Sequence, residues 1–159
     1  MLAVLSVAGI FMIQFTFLKN IFKITEQELQ ESTTVALREV AWQILEASGQ
    51  TSKFDNIDPV ERVTTNYYLV NVNDMIDPDI LRSQLKEQFK RHSIHLDFEY
   101  AIFDPARKKM GYHEYVCSKV DSCKQLPLQE FTLSTKYSYY FAVNFPKPLP
   151  FIKVFSAAS

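Results

Sequence analysis

The sequence predicts an α+β domain in which a long N-terminal helix leads into an antiparallel sheet of four or five strands, with helices packed on one face. Three observations predict it. Residues 2–48 keep a helical pattern with no Pro and no turn signal. Past residue 64 the chain alternates apolar and polar side chains at strand period, interrupted by one helical stretch. The connections between these segments are short, which favours antiparallel neighbours. Composition agrees, since 159 residues that are 47% apolar and 22% charged suit one modest domain. Thirteen Phe and eight Tyr against three Gly fit an aromatic-rich sheet and exclude a glycine-built phosphate cradle. A net charge of −1, with RKK at 107–109 as the one basic cluster, carries no footprint for a nucleic-acid backbone.

The first element is two things in one. Residues 2–18 are apolar except for Ser6, Gln14 and Thr16, and with Ile21 and Phe22 the run approaches the ~20 residues of a bilayer-crossing helix. Residues 1–23 are therefore expected to be a transmembrane helix. A signal peptide is the competing reading, but the run has no charged start and no small-x-small site after it. LAVLSV directly after Met1 reads as the interior of a longer apolar segment. Lys19 and Lys23 on the far side, taken alone, would place the body of the chain inside the cell. Beyond them Leu29, Thr33, Ala36, Leu37, Val40, Ala41, Ile44 and Ala47 recur at helical spacing, and Val35, Trp42 and Leu45 widen this apolar side. The stripe serves either as the domain's own core helix or as a pairing face for a second copy. Leu29, Ala36, Val40 and Ile44 are the candidates for that dimer and signalling surface. Gly49 is the expected stop.

After the polar GQTSKFDNIDP linker, TNYYLVNVN at 65–73 reads as a strand with Tyr68, Val70 and Val72 on one side. DPDILRSQLKEQFKRH at 77–92 reads as a helix. Asp77 is its N-cap, Pro78 its first residue, Ile76 staples onto Leu81, and Leu81, Leu85 and Phe89 with Ile80 form its buried stripe. LDFEYAIFD at 96–104 places Leu96, Phe98, Tyr100 and Ile102 on one face, and DPARKKMG turns into the strand GYHEYV. Two further strands are expected at 130–134 (EFTLS) and 136–145 (KYSYYFAVNF), the latter with Tyr137, Tyr139, Phe141 and Val143 on a shared face.

The phrases GIFMIQFTFLKN, VALREVAWQIL, YLVNVNDMIDPDILRSQLKEQF and IHLDFEYAIFDP together resemble the extracytoplasmic sensor region of Bacteroidetes-type transmembrane histidine kinases. The resemblance implies a PAS-like sensor fold. It puts residues from about 24 onward in the periplasm of a bacterium, with the inner membrane holding residues 1–23, 24–149 forming the sensor, and 150–159 starting a second membrane segment or a cut end. It implies a homodimer, a small-molecule or protein stimulus, and a cytoplasmic response regulator reached through a kinase region absent from these residues. In PAS-like sensors the ligand lies against the sheet, which makes Phe98, Tyr100, Tyr137, Tyr139 and Phe141 lining candidates; the competing reading is that they are packed core. The chain itself carries no phosphoacceptor motif, ATP-binding glycine box or catalytic set, so it is expected to be neither an enzyme nor a cofactor binder.

For an exported domain, Cys117 and Cys123 in CSKVDSC are a disulfide candidate. Closing so short a loop stabilises by roughly 2 kcal/mol on the chain-entropy estimate. Zinc competes, but its usual Cys pairs enclose two to four residues and these enclose five. His92 and His95 suit a helix end, Asp74, Asp77 and Asp79 a cap rather than a calcium loop, and Asp104 a turn. No metal is expected. Two other functional classes fit the same pattern: a pilin- or pseudopilin-like subunit, against which stand the missing glutamate and processing site near the start, and a membrane-anchored extracytoplasmic binding module.

Overall fold

The computed structural model describes residues 1–54, 58–119 and 131–146, with side chains throughout except at 21–26. Helix α1 runs from Leu2 to Ala47 without interruption, about 70 Å at ~1.5 Å per residue. It has two solvents. The stretch Leu2–Asn20 is long and apolar enough to cross a membrane, and none of it is buried against the rest of the chain. From Thr33 onward the other half is a core helix, with Ala36, Leu37, Val40 and Ala41 at 0% exposure and Ile44 and Leu45 nearly so. Ala47 is exposed and Val35 half-exposed, so the stripe is narrower than its apolar lettering. The helix stops where expected. Gly49 adopts φ +72°, and its N–H donates to the Glu46 carbonyl while that of Gln50 donates to Leu45, which satisfies carbonyls that the helix end would otherwise leave open. A 3-10 turn, Thr51–Lys53, then brings the Phe54 ring edge-on to Trp42 at 5.1 Å.

Five antiparallel strands follow: β1 (Val60–Arg62), β2 (Tyr67–Asn71), β3 (Phe98–Asp104), β4 (Lys109–Val116) and β5 (Tyr140–Asn144), in the spatial order β1-β2-β5-β3-β4. The last strand in sequence thus lies at the centre, hydrogen-bonded to β2 on one side and β3 on the other, and it is buried along its whole length. Helix α2 (Pro78–Arg91) connects β2 to β3. Its N-cap is Asp77, whose carboxylate accepts from the N–H groups of Asp79 and Ile80; Pro78 occupies the first turn, where a missing N–H costs nothing.

Both helices pack on the same face of the sheet. Tyr68, Val70, Phe98, Tyr100, Phe141 and Val143 meet Leu37, Val40 and Ile44 of α1 and Leu81, Leu85 and Phe89 of α2 in one cluster, so the inward alternation expected for β2 and β3 is what closes the core. Phe89 is its hinge between layers, edge-on to Phe98 at 4.8 Å and tilted on Phe145 at 5.8 Å. Outside the core, the Arg62 guanidinium donates to the Gln30 side-chain oxygen and ties the edge strand to α1.

Three expectations are corrected. Residues 131–134 form no strand; they run across the outer face of the sheet instead, held there by side-chain rings. The final strand starts at Tyr140, not at residue 136, so the alternation of Phe141 and Val143 does not extend back through Tyr139, and Tyr137 packs on the outer face instead. Ile80 is 38% exposed, and the fourth buried position of α2 is Gln88, which continues the three-and-four spacing of Leu81 and Leu85 where Ile80 does not. Leu85→Ala, in the fully buried stripe, is expected to cost about 2–5 kcal/mol, and Ile80→Ala less than about 1 kcal/mol, in chemical denaturation of the full chain followed at Trp42, its one tryptophan.

Candidate functional site

The five aromatic candidates do not converge. Phe98, Tyr100 and Phe141 are 4%, 0% and 0% exposed and fill the core between sheet and helices. Tyr100 donates its hydroxyl to Glu114 Oε2 at 2.6 Å; Tyr112 donates to the same oxygen and Arg82 Nε lies 3.2 Å from Oε1. Burial, followed by the Glu114 carboxylate, pushes the Tyr100 phenol well above its ordinary range. Tyr137 lies on the opposite face, donating at 2.6 Å to Glu61 Oε2 with the Lys136 ammonium 3.4 Å from the same atom. The Tyr137 hydrogen bond holds the Glu61 carboxyl below the usual carboxylate range, against a contrary effect of burial and with help from Lys136. Tyr139 is half-buried, and its carbonyl accepts from the N–H groups of Val72 and Asn73. Strand alternation cannot be extended backwards through these two residues because the chain is not yet in the sheet.

The outer face holds what sequence reasoning missed. Leu69, Tyr140 and Ala142 form a second buried cluster there, covered by Phe131 and Tyr137. Beneath the same strap, Glu99 is 1% exposed and has a donor for each oxygen: Asn144 Nδ2 reaches Oε1 at 2.9 Å, and His113 Nε2 lies 3.1 Å from Oε2. Phe131 stands edge-on to the His113 ring at 4.6 Å and tilted on Tyr67 at 5.8 Å. The Tyr67 hydroxyl donates to the Thr132 carbonyl, and Ser134 N–H donates to the Tyr140 hydroxyl. Burial, with a smaller push from Tyr140, moves the Tyr67 phenol up to about 12. Asp97, next on this face, accepts from Ser118 N–H, the Ser118 hydroxyl and the Tyr115 hydroxyl. A small cleft of about 210 Å³ opens beside Asn144 and Phe131. Chemically, the arrangement fixes the orientation of one imidazole and gives each oxygen of a carboxyl group kept from water a hydrogen-bond partner. The signal lay in LDFEYAIFD: Asp97 and Glu99 alternate against the apolar set and so share a face with each other, as they do with His113 through the Ala101↔His113 pairing.

A larger cleft, about 410 Å³, lies where the end of α2 meets β3 and the end of β4. Lys86, Lys90 and His95 stand at its rim above a floor that includes Phe89, Ile94 and Phe98.

The remaining candidates fall as follows. Cys117 is disulfide-bonded; the chain has one other cysteine, Cys123, which lies outside the described residues. Ala36, Val40 and Ile44 are buried in the chain's own core and are not offered to a second copy, while Leu29 is only partly buried against it. His92 is the C-cap of α2 and Asp77 its N-cap. Asp104 accepts from the N–H groups of Ala106 and Arg107 in the β3–β4 turn. Among the described residues, no three His, Cys, Asp or Glu side chains gather as a metal-ligand set. Residues 150–159 lie outside the described residues. No protein-family model, curated protein or solved structure matches the chain.

Glu99→Ala removes the partner of the buried Asn144 amide and of the half-buried His113 ring and is expected to cost about 3 kcal/mol in stability, while Glu99→Gln, which keeps an oxygen for one donor, costs less. Equal and negligible losses for both in denaturant titrations would contradict the buried pairing.

Proposed function

We propose that this chain is the membrane anchor and extracytoplasmic sensor domain of a transmembrane sensor histidine kinase. One observation carries the reading: α1 is a single helix whose first half is fit for lipid and whose second half is the principal core element of the folded domain. Any rearrangement of the sheet or of α2 against that helix changes the helix's own lowest-energy position, and a stiff helix delivers a shift or rotation to its other end. The disulfide at Cys117 supports a periplasmic location, since such bonds persist in oxidising compartments. In this reading the domain pairs with a second copy, receives a small-molecule or protein stimulus, and passes two-state packing to a cytoplasmic kinase core and its response regulator. Pairing uses α1 surface other than the buried stripe.

The test uses the native full-length protein. A four-residue Gly-Ser insertion at Thr25 is expected to abolish the change in autophosphorylation between activating and non-activating conditions. A seven-residue helical insertion at the same place, close to two turns, retains it. Unaltered responsiveness of the Gly-Ser variant would contradict the rod mechanism, and assembly of the chain into fibres without any phosphotransfer would replace the reading with the pilin-like one.

A further inference from the structure

The cleft at the end of α2 joins two chemistries. Its floor is the edge of the apolar core: Phe89, Ile94, Phe98 and Val116 are buried at 2–8% exposure, and Leu96 is partly buried beside them. Its rim is cationic. Lys86, Lys90 and His95 are exposed and converge on the opening from three places, a turn inside α2, the last turn of α2, and the segment beyond its cap. A cation in the last turn suits the helix dipole, which accounts for Lys90 but not for Lys86 or His95. None of the three has an ion-pair partner among the described residues. The neighbouring acids are already engaged. Glu87 pairs with Arg91 at 2.8 Å, and Asp97 takes the N–H and hydroxyl of Ser118, the one hydroxyl residue of the lining. Among the described residues, no carboxylate lines the cleft, so the electrostatics of this lining favour an anion over a cation. The size, about 410 Å³, falls within the roughly 300–1,000 Å³ of small-molecule sites.

We infer that this cleft binds a small amphipathic carboxylate, with its apolar body on the Phe89–Ile94–Phe98 floor and its carboxylate at Lys86 and Lys90. Burial of the body supplies the affinity, and the rim selects the charged end. That such an acid is also the stimulus rests on the sensor reading; that it binds does not. The position is suited to signalling, because Phe89 is the α2 residue that touches Phe98 and Phe145 at once, and a body wedged against it presses on the contact between α2 and the sheet.

The test is equilibrium dialysis of octanoate against the full chain in nanodiscs, with empty nanodiscs as the reference for lipid uptake. Saturable binding at one site per chain is expected, with octanol competing about five- to tenfold less well, in keeping with two solvent-exposed charge contacts. The Lys86→Glu/Lys90→Glu double variant is expected to weaken octanoate by at least about tenfold. Both lysines are exposed, so the variant's unfolding transition should match that of the parent and confirm that it is folded. Uptake no greater than in empty discs, octanol competing as well as octanoate, or an unaffected double variant would each overturn the proposal. Because this readout involves no kinase, it fails or succeeds independently of the insertion experiment on the full-length protein.

Discussion

Everything in this fold depends on the apolar stripe that α1 lays against the sheet and α2. Without α1, the inward faces of Tyr68, Val70, Phe141 and Val143 would lose the cover of Leu37, Val40 and Ile44, and Leu81 and Leu85 of α2 would have only the sheet to pack on. At roughly 1.5–3 kcal/mol for each large apolar side chain taken from water, the four residues Leu37, Val40, Ile44 and Leu45 supply a contribution comparable to the whole net stability of a small domain. The same helix cannot be trimmed to a local role, because its axis carries on into a segment that nothing in the domain covers. The constraint is therefore double. The stripe must be apolar on one side to hold the domain, and the preceding turns apolar on all sides to suit lipid.

The sheet is covered on both faces, which sets it apart from a sheet with one wet side. Helices close one face with aliphatic and aromatic packing. The strap through Phe131, Tyr137 and the turn before Tyr140 closes the other with rings and hydroxyls, and it admits polar side chains that the first face excludes. Glu99, His113 and Asn144 are possible there because each finds a partner on an adjacent strand, so that the register of β3, β4 and β5 and the satisfaction of a buried carboxyl group are one and the same condition. A slip of one residue in either pairing would bury the carboxylate without a donor.

Much of this was legible from the residues alone. The three-and-four spacing of Thr33, Ala36, Leu37, Val40 and Ile44, the Asp77–Pro78 helix start, the Gly49 stop and the alternation of Leu96, Phe98, Tyr100 and Ile102 all report local periodicity or capping, and local physics decides them. What was not legible is what depends on a second layer. Phe131 and Leu133 alternate like a strand, yet Leu133 is 48% exposed and the segment crosses the sheet rather than joining it. Alternation records which side chains are covered and not by what. For the same reason alternation alone does not show that Asp97 and Glu99 are buried, the first against Ser118 and Tyr115 and the second between His113 and Asn144. Ile80 misled in the other direction, because an apolar letter near a helix start need not lie on the buried stripe. The cleft at the end of α2 draws its rim from one helix and the segment after it and its floor from three elements, and no short stretch of sequence brings these together.

The central claim, that a single stiff helix joins the lipid-suited segment to the folded core, is tested most directly by distance. Nitroxide labels at Ser6→Cys and Glu46→Cys, both exposed positions, in the full chain diluted with excess unlabelled chain in nanodiscs should give one narrow dipolar distance distribution centred near about 60 Å, the length of forty helical residues at ~1.5 Å each. A mean below about 50 Å, or a broad or divided distribution, would show a break between the two halves and contradict the account.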